Sequence, residues 1–334
     1  MQRYILRRFV FLAFVVVGVT LVLFVIMYLL PGDPARAAAG PGAGPKQVEV
    51  VRQKMGLDKP PYVQYLTYMR NLLHGDLGVS IATRKQVSAE LATYLPGTLE
   101  LVLAAMFLNI LIAIPLGVFS GLQPGKVADT LSRLFAALGM GMPVFWVALM
   151  AEFLFYGKLG LLPFGGRLSP TIVAPDRVTG LYLIDSLLAG NLPVFKDALV
   201  HLIMPAVVMA LPEIAATSRL IRSSMLDVFC QDYIRTARAK GLPERRVIWI
   251  HALKNALLVP LTVIGMQVGW MMGGTLLVES VFSWPGLGFL AFNGIYKRDF
   301  PIIMGVTLLM CVVFVLSNLV VDVLYSYLDP RITY

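Results

Sequence analysis

The sequence predicts an all-α integral membrane protein with six transmembrane helices and a small extracytoplasmic helical cap. Of 334 residues, 58% are hydrophobic and only 14% charged. With a mean hydropathy of +0.77, these values exclude an ordinary soluble globular protein. Long uncharged runs recur at lengths that match a bilayer. The 28 Lys and Arg against 19 Asp and Glu give a net charge of +9. In so apolar a chain, that excess reads as cytoplasmic loop charge and not as a nucleic-acid surface.

Residues 9–30 hold no charge, and at 1.5 Å per residue they extend roughly 33 Å, enough to cross a hydrocarbon core of about 30 Å. Arg3, Arg7 and Arg8 precede this run, which is too long for a signal-peptide core, so residues 1–30 are expected to form a cytoplasmic tail and an uncleaved first span. Residues 31–97 contain two amphipathic patterns. Val48, Val51 and Met55 form one; Tyr62, Tyr65, Leu66, Met69, Leu72 and Leu73 form the other. Gly56, Pro60 and Pro61 separate them, and 41–45 reads as a loose Gly/Pro turn. These patterns predict the cap.

The remaining spans are expected at 101–120, 134–156, 202–217, 256–278 and 302–321, within a core domain at 98–334. Gly139, Gly141 and Pro143 interrupt the third, which predicts a kink or partial unwinding. The fourth is the weakest. It is short, contains Pro205 and Pro212, and carries Glu213, whose insertion costs about 2.5–3.5 kcal/mol unless it lies near an end or faces protein. Segment 158–200 is expected to be an outer loop with turns at Pro163, Gly165, Gly166, Pro170 and Pro175.

Loop charges set the orientation. With the N-terminus inside, 14 Lys and Arg, Arg331 among them, crowd into about 66 cytoplasmic residues, and the other 14 spread over about 130 outside. Both termini are therefore expected to be cytoplasmic. Cys230 in a charged stretch and Cys311 in an apolar run predict neither a disulfide nor a thiolate metal site.

No Gly-rich phosphate loop is complete. The nearest, Gly121 to Val127, is a residue short and lacks the hydroxyl, so it reads as a cytoplasmic turn. His74, His201 and His251 are scattered, and no nucleophile elbow occurs, so neither an enzymatic site nor a bound cofactor is expected in this chain. An ion-coupled carrier needs ionisable groups near the midplane, but Glu100, Glu152, His201, Glu213, Glu279 and Asp322 read as span ends. Glu279, with Ser280 and Trp284 behind it, is the candidate outer gate or pathway element. Gly265, Gly269 and Gly273 share one helical face and suit helix packing, with a partner subunit beside the substrate path as the sharper reading.

Most function is expected in the cytoplasmic loop at about 219–255. Its Asp232 to Arg246 stretch reads as two short helices about a forced turn. Asp232 would cap the first, Gly241 would supply a left-handed position, and Pro243 with Glu244 would open the second. Small Ala237 and Ala239 would admit another protein, ringed by Arg235, Arg238, Lys240, Arg245 and Arg246. A solvated loop explains the charges but not a helix, glycine and helix in series. Such a knob suits the transmission of force from a cytoplasmic machine.

These residues resemble the coupling-loop signature of permease subunits of ATP-binding-cassette importers, a glutamate and two alanines, three residues and a glycine, then Ile-x-Leu-Pro. Gly241 holds the glycine place and Ala237 the second alanine. Arg235 and Thr236 replace the glutamate and first alanine; His251, Leu253 and Lys254 stand at the later positions. The replacements match the peptide, opine and nickel class, as do Leu30 to Pro34, Gly56 to Pro60, His74 to Gly78 and Phe282 to Gly288. The outer loop with Leu183, Ile184 and Asp185 is most similar to the dipeptide branch; oligopeptide, glutathione, nickel and haem importers share the motifs. The resemblance implies a type I importer fold in the bacterial inner membrane. It also implies a second permease, two ATPase subunits that use ATP and Mg, a periplasmic binding protein, and an ATPase-coupling surface at Arg235, Ala237, Arg238, Ala239, Lys240, Gly241, Leu242, Arg245 and His251. Membrane lipid is the other expected partner; nucleic acid is not one.

Overall fold

The computed structural model describes residues 2–29, 33–40 and 42–328. Leu30 to Gly32, Pro41 and the tail with Arg331 lie outside the described residues. The side chains of Arg3, Arg7, Arg8 and Asp322 are likewise outside them.

The chain runs through α1 (Gln2–Leu29), α2 (Pro34–Ala39), α3 (Pro45–Lys54), α4 (Pro61–Leu73), α5 (Val87–Leu122), α6 (Val127–Gly141) and α7 (Val144–Ala151), which a π-helical turn at Glu152–Lys158 prolongs. Then come α8 (Tyr182–Leu188), α9 (Leu192–Phe229), α10 (Asp232–Ala239), α11 (Glu244–Arg246), a second π-helical turn at Val247–Ala252, α12 (Leu253–Ala256), α13 (Leu258–Val281), α14 (Leu287–Lys297) and α15 (Phe300–Leu328). Among the described residues the only β pairing is the isolated bridge Val79–Gln86. Four helices, α5, α9, α13 and α15, are long and apolar enough to cross a membrane, and α6 with α7 makes a fifth if the bent pair is one span. In α1 the apolar stretch is Val10–Ile26.

The expected third span is not a single rod. Its two halves meet at 103°. Met142, forced out of the helical region before Pro143, is extended at ψ 133. The expected fourth span is the largest surprise: α9 has 38 residues, and its most apolar window is the most buried of the four. Pro205 and Pro212 lie inside it, and Glu213 sits near its middle, half-buried, not at an end as expected. The second span was also read too short. By residue rise α5 extends about 54 Å and α9 about 57 Å, so both project well beyond a hydrocarbon core.

α5 and α9 make the most extensive helix contact in the chain. A methyl group at Gly117 would lie 2.7 Å from the Ser218 carbonyl oxygen, and one at Gly121 would lie 2.8 Å from Met225 Cβ. Two glycines four apart thus let the backbones meet. One large core cluster, from Val87 and Leu101 through Met209 to Trp284 and Val306, joins α5, α9, α13, α14 and α15. In the second segment α3 and α4 form as the patterns require, and α4 leans on α1: the Tyr65 hydroxyl donates to the Val17 carbonyl at 3.2 Å, and the Tyr65 and Phe24 rings meet edge-on. The expected boundary at 97/98 falls inside α5.

Candidate functional site

Two ends of the bundle gather polar side chains. At the long-loop end the segments before α5, between α7 and α9, and between α13 and α15 meet. Arg167, 7% exposed, donates to Glu100 Oε2 at 2.5 Å and to the Gly180 carbonyl at 2.9 Å. Its guanidinium stacks on the Tyr182 ring with 3.6 Å to the centroid. Glu100 Oε1 accepts the Leu183 amide, which fixes α8 against α5. Asp185 is pushed up by burial, but the hydroxyl and amide of Thr179 and the amide of Gly180 outweigh that and hold its carboxyl below the usual range. The sequence places Glu100 among span ends but offers no sign that Arg167 reaches it from 67 residues away.

The candidate gate residues belong to this clasp. Glu279 is fully buried; Thr98 Oγ1 donates to it at 2.7 Å and the Phe289 amide at 2.9 Å. The Trp284 indole, 1% exposed, donates to the Gly97 carbonyl at 2.8 Å. Ser280 donates to the Leu276 carbonyl of its own helix. Glu279 and Trp284 are closed off within this chain, while Ser280 is half-buried. A carboxylate beside a Trp-Pro-Gly turn serves here to satisfy the donors exposed by that turn and by the start of α14.

The expected glycine face also divides. A methyl at Gly269 would meet the Phe314 ring of α15 at 2.5 Å, so that glycine is used inside the chain. Gly273 opens onto free space with Gly274, beside exposed Trp270 and Leu277, while Gly265 is half-buried. Deeper in the bundle Gln267 accepts from Asn109 at 2.8 Å and exchanges hydrogen bonds with Thr217, tying α13 to α5 and α9.

At the short-turn end stands the knob. α10 closes at Lys240, and Gly241 adopts φ +76. The Gly241 amide donates to Arg238 and the Leu242 amide to Ala237, a Schellman closure with Ala237 and Leu242 as its apolar pair. The N-cap is Gln231, so Asp232 opens the helix and does not cap it. A second core lies under the knob. Ile234, Ala237, Val247, Ala252 and Ala256 pack with Val118 of α5 and with Ile221 and Met225 of α9.

Ala237 is therefore consumed by the knob's own core, 8% exposed, whereas Ala239 remains open. Arg238 is also turned to internal use. It grips Glu244 through Nε at 3.2 Å and Nη2 at 2.6 Å and lies over the Phe229 ring. That hydrogen bond holds the Glu244 carboxyl below its usual range and raises Arg238. Arg235, Lys240, Gly241 and Arg245 are exposed, Leu242 and His251 half-buried. At the knob's base Asp129, fully buried, accepts from Arg222 at 2.5 and 3.0 Å, from Ser120 at 2.7 Å and from the Gly125 amide at 2.8 Å. The two partners lie 93 residues apart, and nothing in the sequence alone marks them as a pair.

A stack of long apolar helices, clasped at one end and bearing a rigid basic knob at the other, is the architecture of a membrane transport component. The chain belongs to the family of binding-protein-dependent transport system inner membrane components, whose profile matches residues 113–334; that of the family's N-terminal region matches residues 1–104. It is 47% identical to a probable D,D-dipeptide transport system permease protein of Escherichia coli K12, over 96% of this chain and 94% of that one. It is 42% identical to a dipeptide transport system permease protein of Alkalihalophilus pseudofirmus over the whole of both chains. A di/tripeptide transport system permease protein of Pseudomonas aeruginosa is 42% identical over 99% of each.

Proposed function

We propose that this chain is the transmembrane permease subunit of an ATP-driven, binding-protein-dependent importer for dipeptides or other short peptides in the bacterial inner membrane. Full-length identity of 42–47% to permeases of dipeptide systems supports the substrate class. The chain would cross six times, with α1 and the bent α6–α7 pair completing the four long helices, and with α2 to α4 capping the outer face. Both termini and the knob would be cytoplasmic. A second permease, two ATPase subunits and a periplasmic binding protein would complete the assembly, with ATP and Mg handled by the ATPases.

The observation that carries this reading is the knob's construction. Its Schellman turn is closed by two backbone hydrogen bonds, it is exposed at Arg235, Ala239, Lys240 and Gly241, and its core is continuous with α5 and α9. A push on that surface moves two membrane-crossing helices with it, as a two-state rocking mechanism requires. The exposed strip Trp270, Gly273, Gly274 and Leu277 of α13 would supply an uncharged wall for the partner permease beside the substrate path.

Gly241→Arg tests the reading in the assembled importer. Insertion and subunit assembly are expected to persist, with peptide-stimulated ATPase abolished. Gly241→Asn, small and tolerant of a positive φ, is expected to keep most of the stimulation. Normal stimulation in Gly241→Arg would overturn the assignment.

A further inference from the structure

Beside the Schellman turn lies a second surface, which shares only Arg245 with the expected coupling surface. Pro243, Arg245, Arg246, Trp249 and Ile250 line an open cleft of about 460 Å³. Trp249 is 44% and Ile250 56% exposed. The π-helical turn that carries them adds a residue to the helical repeat and leaves the indole and the isoleucine outward, while Val247 and Ala252 go into the knob's core. Among the described residues neither Arg245 nor Arg246 has a carboxylate partner, and the adjacent carboxylate, Glu244, is occupied by Arg238. Val259, at the start of α13, is also exposed.

We propose that this cleft is a binding site for the headgroup of an anionic phospholipid of the cytoplasmic leaflet. The two guanidinium groups would take the phosphates, with Trp249 and Ile250 seated at the headgroup and acyl boundary. The inference rests on the cytoplasmic placement of the knob given above. Charge complementarity favours lipid over a protein partner: an indole beside two arginines without carboxylate partners among the described residues, shortly before the chain returns to a bilayer-spanning helix, is the composition of an interfacial anchor. Positive charges near an anionic leaflet act additively, and each arginine removed is expected to lower the preference for anionic lipid about fivefold.

The test uses the complete importer in nanodiscs, with brominated phosphatidylglycerol or brominated phosphatidylcholine at equal fraction as tryptophan quencher. The Trp249 signal is isolated as the difference from Trp249→Phe. Quenching is expected to be stronger with phosphatidylglycerol, and Arg246→Gln, which lies outside the expected coupling surface, is expected to lower that preference about fivefold while the ATPase subunits stay bound. Equal quenching by the two lipids, or none, overturns the proposal. So does loss of the ATPase subunits from Arg246→Gln, which would make the cleft a protein-docking surface. Because quenching is read without transport, failure here is distinguishable from failure of the importer assignment.

Discussion

The two ends of the molecule spend their charges in opposite ways. At the long-loop end Arg167, Glu100, Asp185 and Glu279 are buried and matched within the chain. At the knob Arg235, Lys240, Arg245 and Arg246 are exposed, and among the described residues only Arg238 of these five basic side chains is closely paired. Titratable groups in the clasp therefore hold one conformation, whereas those on the knob are left for something outside the chain. Residue type alone does not reveal the difference, because glutamate and arginine occur at both ends.

The comparison breaks first at the clasp. Glu100→Ala leaves the Arg167 guanidinium buried without its counter-charge and is expected to cost about 3–5 kcal/mol, read as loss of thermal stability of the detergent-solubilised complex. A Glu100→Met, Arg167→Met double variant should recover most of that loss, because an apolar pair removes the desolvation cost along with the attraction; no recovery would give the pair a role beyond packing. Next in size is Gly117→Val, which overpacks the α5–α9 contact by about 1–3 kcal/mol, again visible in thermal stability. Ala237→Leu and Ala239→Leu then separate inside from outside on one helix. The first is expected to destabilise the knob, with faster amide exchange over 232–246. The second should leave exchange unchanged and reduce peptide-stimulated ATPase.

The smallest effect is acid sensitivity of the Arg238–Glu244 pair. Glu244 has its carboxyl lowered by Arg238, so the pair contributes fully above the ordinary glutamate range near 4.3. That contribution is lost as pH falls through the lowered value. With both side chains about half exposed, it amounts to a fraction of a kcal/mol. Amide exchange at Gly241 and Leu242 is expected to be flat from pH 8 to 5 once intrinsic rates are removed, and to rise below that. A rise above pH 5 would mean that another group governs the turn.

Hydrophobic runs were sufficient to place α13 within three residues of its observed bounds and the start of α15 within two, though they end α15 seven residues early, and glycine with proline chemistry located the knob's turn and the break between α6 and α7. The same runs shortened α5 and α9, because Lys196, Asp197, Glu100 and Arg222 look like stops. They are not stops, since Asp197 accepts from Ser169, and Glu100 and Arg222 have partners from distant segments. Pairing across 67 or 93 residues leaves no periodic trace in a single sequence. Glu279 was singled out for the right reason, an acid at a turn, but burial made it a staple of that turn. The Gly117–Gly121 contact had a readable four-residue spacing, which the more conspicuous triplet in α13 overshadowed.

The uninterrupted course of α5 governs how relatives can be recombined. The two family profiles part between residues 104 and 113, and the apolar pattern suggests a join at 97, yet both places lie within one hydrogen-bonded helix. Val87 and Leu91, at its beginning, already fill the space left by Gly305 of α15. A chimera that borrows its amino-terminal third from another transporter should therefore be spliced ahead of Val87. Joined at either apparent boundary, it would inherit two half-helices whose side chains answer to different neighbours.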